Sequence, residues 1–164
     1  MSAAIGINDL HNRLSCRDDL LRVNNASATE TSHLSRERFD QLISAARVAL
    51  FIAPAAAFLL AFEQSDHYEG GHFLWFRKRF DKFVYIDRVV VALEHRRHGF
   101  GRMLYADLFK RATHLGHTRV VCEVNLQPPN PVSDRFHALL GFAEVGRATY
   151  DDGAKTVRYL AANL

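Results

Sequence analysis

Residues 83–124 place the strongest constraint on the fold, because they predict two strands joined by a helix. The segment 83–91 is rich in β-branched and aromatic residues and is apolar on both faces, as in a central strand. A helix is predicted over 100–115, with Gly116 as the residue that ends it, and a second strand over 119–124. A strand, a helix and a strand in this order indicate a crossover unit in a mixed α/β domain.

Further helices and hairpins are predicted around this unit. Ser35 is a predicted N-cap, and Phe39, Leu42 and Ile43 follow it at helical spacing. Pro54 cannot donate to a strand ladder, so it is expected in the turn of a hairpin. The other predicted elements are a strand at 4–7, a helix that includes Leu10, Leu14 and Leu21 and ends near 23, loops at 24–33 and 63–72, hairpin strands at 47–52 and 57–62, a short helix at 133–140, and strands at 142–150 and 156–160.

Length and composition exclude several classes of protein. The 164 residues suffice for one domain, and 48% hydrophobic with 24% charged residues is the balance of a soluble globular chain. Cys16 and Cys122 are far apart and lack CxxC spacing, which argues for a reducing compartment. The longest apolar stretch, 48–62, is broken by a proline and is short for a bilayer, and 1–12 lacks the apolar core of a secretory signal. We therefore expect a cytoplasmic protein without a membrane partner.

Aromatic and basic residues alternate over 73–83, and this pattern allows two interpretations. Interleaved rings and cations could stack on bases and contact phosphates, and a net charge of +3 permits an anionic partner. No other stacking motif accompanies the segment, so we favour an amphipathic segment that buries its rings in the core. Nucleic acid is thus an alternative partner and not the expected one.

The turn that follows the predicted central strand has the composition of an anion-binding site. Residues 96–102 read Arg-Arg-His-Gly-Phe-Gly-Arg, so four cationic side chains surround two glycines. Gly99 and Gly101 let the backbone approach a ligand without a Cβ clash. The predicted helix N-terminus adds about half a positive charge, and the whole segment fits a pyrophosphate.

Three known phosphate-binding motifs place glycines in a turn before a helix, and they can be compared with this segment. A Walker loop requires GxxxxGK[ST], and the segment has neither this spacing nor the lysine. A Rossmann fingerprint requires a third glycine where Leu104 stands, although Glu123 lies near the expected acidic position. The third motif is the [RQ]xxGxG turn that holds the coenzyme A pyrophosphate. Arg96-x-x-Gly99-x-Gly101 matches it in full.

On these residues the sequence resembles the GNAT superfamily of acyl-CoA-dependent N-acyltransferases. Asn130-x-x-Ser133-x-x-Phe136-His137, followed by Gly141-Phe142, is similar to the second family pattern, usually written NxxAxxLYxxxGF. The resemblance implies an α/β fold of the α+β type, with a central mixed, mostly antiparallel sheet, a splayed pair of parallel strands and flanking helices. It also implies one domain over 1–164, with a variable acceptor side at about 1–82, an acyl-CoA-binding core at about 83–142 and a C-terminal hairpin at about 142–164.

The resemblance further implies roles for individual residues. The family's tyrosine that commonly protonates the leaving thiolate is replaced by His137, which makes His137 the candidate general acid. Imidazole, with a usual pKa of about 6.5, can transfer a proton to a thiolate, whose usual pKa is about 8.5. Leu93 replaces a frequent proline, which is a minor departure. The implied coenzyme A contacts are Val89, Val90, Val91, Arg96, Arg97, His98, Gly99, Phe100, Gly101, Arg102, Asn130, Ser133 and Phe136.

Asp87 leaves two alternatives open. An unpaired carboxylate in the middle of an apolar strand is costly, so Asp87 either forms an ion pair with Arg88 or another basic group, or serves as a catalytic base near the strand opening. No metal is expected, because the His95/His98 and His114/His117 pairs lack an HExxH frame and nearby cysteines. Cys122 is expected to be a buried small hydrophobe, and Glu30 a solvated loop residue.

The implied function is transfer of an acetyl group from acetyl-CoA, as co-substrate, to a primary amine that attacks the thioester directly in a ternary complex. The amine belongs to a small molecule or a peptide. A small basic nucleic-acid-binding module and a non-catalytic acyl-CoA sensor of the same fold are the alternatives. The sequence is also compatible with a homodimer.

Overall fold

A seven-stranded sheet runs through the centre of the computed structural model, which describes residues 5–164. The strands are β1 (Ile7–Asp9), β2 (Val48–Ile52), β3 (Ala57–Glu63), β4 (Val84–Val91), β5 (Arg119–Gln127), β6 (Ala143–Tyr150) and β7 (Lys155–Asn163). Their order in the sheet is β1-β2-β3-β4-β5-β7-β6. All neighbours are antiparallel except β4 and β5, which are parallel. The predicted fold class is confirmed.

Helices cover both faces of the sheet, and each face has its own hydrophobic core. Helices α1 (Arg17–Ala26), α2 (Arg36–Ala45) and α3 (Gly71–Arg77) cover one face. Helices α4 (Phe100–His114) and α5 (Pro131–Leu139) cover the other. Central strands buried from both sides explain the continuous apolar runs in the sequence.

Two predicted elements at the start of the chain were wrong in their boundaries. Helix α1 begins at Arg17, so Leu10 and Leu14 lie outside it. Leu10 is buried in a turn, and its backbone N–H donates to the Ala49 carbonyl at 2.9 Å. Leu14, by contrast, is 69% exposed. The helical spacing of the three leucines was therefore misleading, because Leu21 lies in α1 whereas Leu10 and Leu14 precede it. The predicted strand at 4–7 is observed as β1, shifted toward the C-terminus, and residue 4 lies outside the described residues.

The aromatic and basic segment contributes α3 and the turn that follows it. Phe73 and Phe76 are fully buried in the core, which confirms the amphipathic interpretation. The Arg79 guanidinium lies 3.9 Å from the centroid of the Trp75 ring, a cation–π contact within the chain. The rings of this segment are thus packed against the protein itself and are not presented for base stacking.

The remaining predicted elements are present with small shifts. Ser35 caps α2 by accepting a hydrogen bond from the Arg38 N–H, as predicted. Strand β5 continues to Gln127, beyond the predicted end at 124, and α5 begins at Pro131, ahead of the predicted 133. Within residues 5–164 no helix combines the length and apolar character needed to cross a membrane.

Candidate active site

The central pair of strands separates after a short parallel contact. Strands β4 and β5 pair only at Val84–Val120 and Tyr85–Val121, and both strands continue for several residues beyond this register. The β3–β4 register shifts opposite Leu60 and Ala61, which leaves Asp87 as the extra residue of a bulge. An opening therefore lies at the centre of the sheet, between the second half of β4 and the second half of β5.

The predicted pyrophosphate turn connects the end of β4 to α4. Gly99 is the N-cap of α4 with φ +79°, and Arg97 has φ +65°, so the backbone turns sharply at both positions. No side chain in the described part of the chain caps α4, and its first turn contains no acidic residue. Its first N–H groups are therefore free to bind an anion. The side chains of Arg96, Arg97, His98 and Arg102 are exposed around them.

Gly99 and Gly101 serve different steric purposes. Gly99 adopts a left-handed conformation that residues with a Cβ rarely adopt. A Cβ at Gly101 would lie 3.3 Å from the Phe136 ring and 4.0 Å from Val91. The structure thus brings Val91, Gly101 and Phe136 together where α4 and α5 approach the end of β4.

The remaining predicted coenzyme A contacts differ in how far their side chains are accessible. Val90 and Phe100 are buried in the two cores, so only their backbone atoms could contact a ligand. Val89 is half-buried on the α4 side of β4. The Asn130 side chain caps α5 by accepting from the Ser133 N–H at 3.2 Å. Coenzyme A binding by these residues stays a prediction.

His137 is buried, and both of its ring nitrogens are hydrogen bonded. Its Nδ1 lies 2.7 Å from the Ser133 carbonyl oxygen, which can only accept, so Nδ1 carries the proton. Nε2 then accepts from the Tyr105 hydroxyl at 2.7 Å. Burial lowers the pKa of His137, which favours this neutral form. The general-acid role stays a prediction, and the geometry makes Tyr105 part of it.

Asp87 forms the ion pair that was one of its two alternatives. Its Oδ2 accepts from Arg88 Nε at 2.9 Å, and both side chains are nearly buried, with 7% and 8% exposed. Its Oδ1 accepts from the Tyr68 hydroxyl. Arg88 also donates to Asn24 Oδ1 of α1 at 2.9 Å. The acid therefore links the bulge of β4 to the helices of the first face.

Glu123 is a candidate functional residue that sequence analysis considered only as a Rossmann acid. It lies on β5 just past the parallel pairing, and its Oε1 accepts from the Tyr85 hydroxyl at 3.1 Å. Its Oε2 is buried without a hydrogen-bond partner among the described residues. Burial, with a further contribution from the negative charge of Asp87, raises the pKa of Glu123 to about 8. A lone acid in an otherwise apolar strand was the signal available in the sequence.

The opening thus has titratable groups on both sides of the sheet. Tyr85, the hydrogen-bond donor to Glu123, is part of the core beneath α1–α3, whereas Tyr105 packs in the core beneath α4. Burial raises the pKa of Tyr105, and the charges of Cys122 and Glu123 raise it further, so the two sides are within electrostatic reach. One side can accept a proton while the other presents a hydroxyl. Within residues 5–164 no cluster of His, Cys, Asp and Glu could hold a metal ion.

Several solved structures that are similar to this chain are named as acetyltransferases. The chain is similar to Ard1 from Thermoplasma volcanium, with 14% identity, a TM-score of 0.75 and 99% of each chain covered. It is similar to ribosomal-protein-alanine N-acetyltransferase from Brucella melitensis, with 18% identity, a TM-score of 0.72, and 98% of this chain and 100% of that chain covered. An aminoglycoside 6'-N-acetyltransferase complexed with coenzyme A is 15% identical, with a TM-score of 0.74 and 97% of each chain covered.

The fold is that of solved acetyltransferase structures, one of which is complexed with coenzyme A. The sequence matches the acetyltransferase (GNAT) family over residues 22–142, and the chain belongs to this family. A comparison with curated proteins finds no match.

The two ends of α4 provide a matched test of the pyrophosphate turn. Gly99 and Gly116 both have φ near +79°, at opposite ends of the helix, so valine at either position introduces similar backbone strain. We expect Gly99→Val to weaken coenzyme A binding at least about tenfold by disturbing the free N–H groups, and Gly116→Val to leave it unchanged. Isothermal titration measures both. Equal affinities in the two variants would place the cofactor elsewhere.

The raised pKa of Glu123 predicts a dependence of stability on pH. The folded protein holds this proton up to about pH 8, whereas the unfolded chain releases it near about 4.3. Because the folded state binds more protons in this window, the contribution of Glu123 to the free energy of unfolding falls as pH rises from about 5 to about 8. Glu123→Gln should therefore gain stability over wild type across this range in urea unfolding. The exposed Glu94→Gln is the control, and a pH-independent difference would contradict the prediction.

Proposed function

We propose that the protein is an N-acetyltransferase that moves an acetyl group from acetyl-CoA to a primary amine by direct attack in a ternary complex. The observation that carries the proposal is the opening between β4 and β5, with a buried carboxyl on one side and the free turn of α4 at its end. Similar structures named as N-acetyltransferases, one of them complexed with coenzyme A, support this choice. The reaction requires positioning of two substrates and transfer of two protons.

The turn and the end of β4 are the proposed binding residues for acetyl-CoA. Free N–H groups at the start of α4 and the exposed cations of 96–102 suit a pyrophosphate. The backbone of 89–91 has no strand partner on the β5 side, so it can hydrogen-bond an extended amide chain and an oxyanion. The contact of Phe136 with Gly101 holds α5 beside this path.

Glu123 is the proposed base that removes a proton from the attacking amine. Its Oε2 has no hydrogen-bond partner among residues 5–164. A general base works best when its pKa lies near the pH of the reaction, and the pKa of about 8 is close to neutral pH. Both oxygens of Asp87 are occupied by Tyr68 and Arg88, so Asp87 acts in this proposal as a positioning residue. Its negative charge helps to keep the pKa of Glu123 high.

The Tyr105–His137 pair is the proposed source of the proton for the leaving thiolate. The backbone holds the Nδ1 proton of His137, so the hydroxyl proton of Tyr105 is the one that can turn toward another acceptor. His137 fixes the position of this hydroxyl. In this proposal, Tyr105 of α4 supplies the phenol that the family's usual tyrosine would supply.

Replacement of the base tests the proposal directly. Acetyl-CoA is offered with amines, amino acids and peptide N-termini, and released thiol is measured. We expect Glu123→Gln to lower kcat/KM about 10²- to 10³-fold near pH 7, with a smaller loss near pH 10, where free amine is abundant. Asp87→Asn should lower kcat/KM without this pH dependence. The reverse pattern would make Asp87 the base, and coenzyme A binding without turnover of any amine would favour the sensor alternative.

Variants at position 137 test the acid. His137→Phe leaves the Tyr105 hydroxyl without its acceptor, and we expect kcat to fall about 10²-fold. His137→Tyr restores a hydroxyl at the family's usual position and should recover most of the activity. Tyr105→Phe, which removes the proposed proton, should fall at least as far as His137→Phe. Near-normal rates in all three variants would show that water supplies the proton.

A further inference from the structure

One wall of the opening is formed by side chains of β7 on the face that carries Glu123. Glu123 and Tyr159 are direct neighbours in the β5–β7 register. Side chains alternate along a strand, so Lys155, Val157 and Tyr159 all point to this face, and Val157 and Tyr159 are part of its core. Lys155 therefore lies on the base's side of the sheet, at the end of β7 nearest the hairpin turn.

Lys155 is a cation without an ion-pair partner in the described part of the chain. No carboxylate of residues 5–164 lies within 4.0 Å of its ammonium group, although the side chain is half-buried. Arg88 is already paired with Asp87, and the Arg79 guanidinium lies on the Trp75 ring. Lys155 is thus a cation of this wall that no carboxylate of residues 5–164 neutralises.

The charge of Lys155 acts on the interior of the site. Burial lowers the pKa of His72, and the positive charge of Lys155 lowers it further. The same charge opposes the burial that raises the pKa of Glu123. These effects agree with the strand register, which places Lys155 on the same face of the sheet as Glu123.

Neutral hydrogen-bonding groups occupy the wall between the base and the lysine. The Tyr150 and Tyr159 hydroxyls are 2.6 Å apart, and the Tyr159 hydroxyl lies 3.0 Å from His72 Nδ1. Tyr159 and Lys155 are four residues apart on β7, or about 13 Å along the strand, and the flexible stem of the lysine shortens this separation. Glu123 and Lys155 therefore lie on one face of the sheet, with the tyrosine hydroxyls and His72 beside the line that joins them.

We propose that Lys155 binds the carboxylate of the acceptor and that the acceptor is a free amino acid. This inference rests on the proposed function, because it places the reacting amine at Glu123. The amine would approach the unpartnered Oε2, and the carboxylate would pair with the Lys155 ammonium across the tyrosine and histidine wall. The first residue of a peptide has a peptide bond in place of its α-carboxylate. A peptide N-terminus would therefore leave Lys155 without an ion-pair partner.

Binding to the coenzyme A-loaded protein tests the carboxylate site without requiring turnover. The probes are the free L-amino acids, each compared with its own α-amide, and peptides that begin with Asp or Glu. We expect at least one amino acid to bind about tenfold or more tightly than its amide, since the amide lacks the negative charge while keeping nearly the same size. Acetyl transfer from acetyl-CoA is measured for the same pairs.

Variants at position 155 assign the preference to the lysine. Lys155→Met should weaken binding of the preferred amino acid, and raise its KM, about 10- to 100-fold with little change in kcat. Binding of the matching amide should not change. Lys155→Arg should retain the preference, because a guanidinium also pairs with a carboxylate. Lys110→Met, at an exposed lysine of α4, is the matched control and should behave as wild type.

The outcomes separate this inference from the proposed function. Equal binding of acids and amides, equal losses of both in Lys155→Met, or binding of the acidic peptides alone would overturn the carboxylate site, even if amines are acetylated. A Lys155-dependent preference without any acetyl transfer would support the carboxylate site and overturn the N-acetyltransferase function. If a variant fails to fold, the ratio of the affinities of wild-type protein for an amino acid and for its amide still tests the carboxylate site.

Discussion

The early end of the parallel ladder between β4 and β5 is the constraint on which the site depends. Backbone N–H and C=O groups in the middle of a sheet are normally paired, and leaving them unpaired is costly unless water or a ligand satisfies them. Here only two residue pairs join the strands, and the bulge at Asp87 turns β4 away from β5. The unpaired edge of β4 and the position of the buried acid on β5 both follow from this separation.

Electrostatics within the opening depend on the same geometry. A carboxyl group buried beside another carboxylate resists ionisation. Glu123 is in this position, because it is buried near Asp87 and its Oε2 has no hydrogen-bond partner among residues 5–164. Asp87 remains an ion-pair partner because the bulge directs it and Arg88 toward Tyr68 and α1. The two acids therefore differ in environment, because both oxygens of Asp87 are hydrogen bonded whereas Oε2 of Glu123 has no hydrogen-bond partner among residues 5–164.

Sequence analysis predicted the features that local patterns determine. The turn at 96–102, the hairpin of β2 and β3, and the cap at Ser35 are each encoded within a few residues, and all are present. The environment of Glu123 depends on its place relative to β4. That strand lies more than thirty residues earlier in the chain, so the periodicity of β5 does not show the contact. The Tyr105–His137 hydrogen bond joins residues 32 positions apart. The sequence therefore showed that histidine replaces the family's tyrosine at 137, but it did not show that Tyr105 is the partner of this histidine.

The short parallel pairing of β4 with β5 also divides the sheet into two parts. Strands β1–β4 form one four-stranded part, and β5, β7 and β6 form a three-stranded part, with two backbone pairs between them. Widening the opening breaks few hydrogen bonds, whereas shearing either part internally breaks many. The two parts are held together mainly by the hydrophobic cores on either face of the sheet. We therefore expect slow amide exchange in the interiors of the two parts and faster exchange at the strand edges that face the opening.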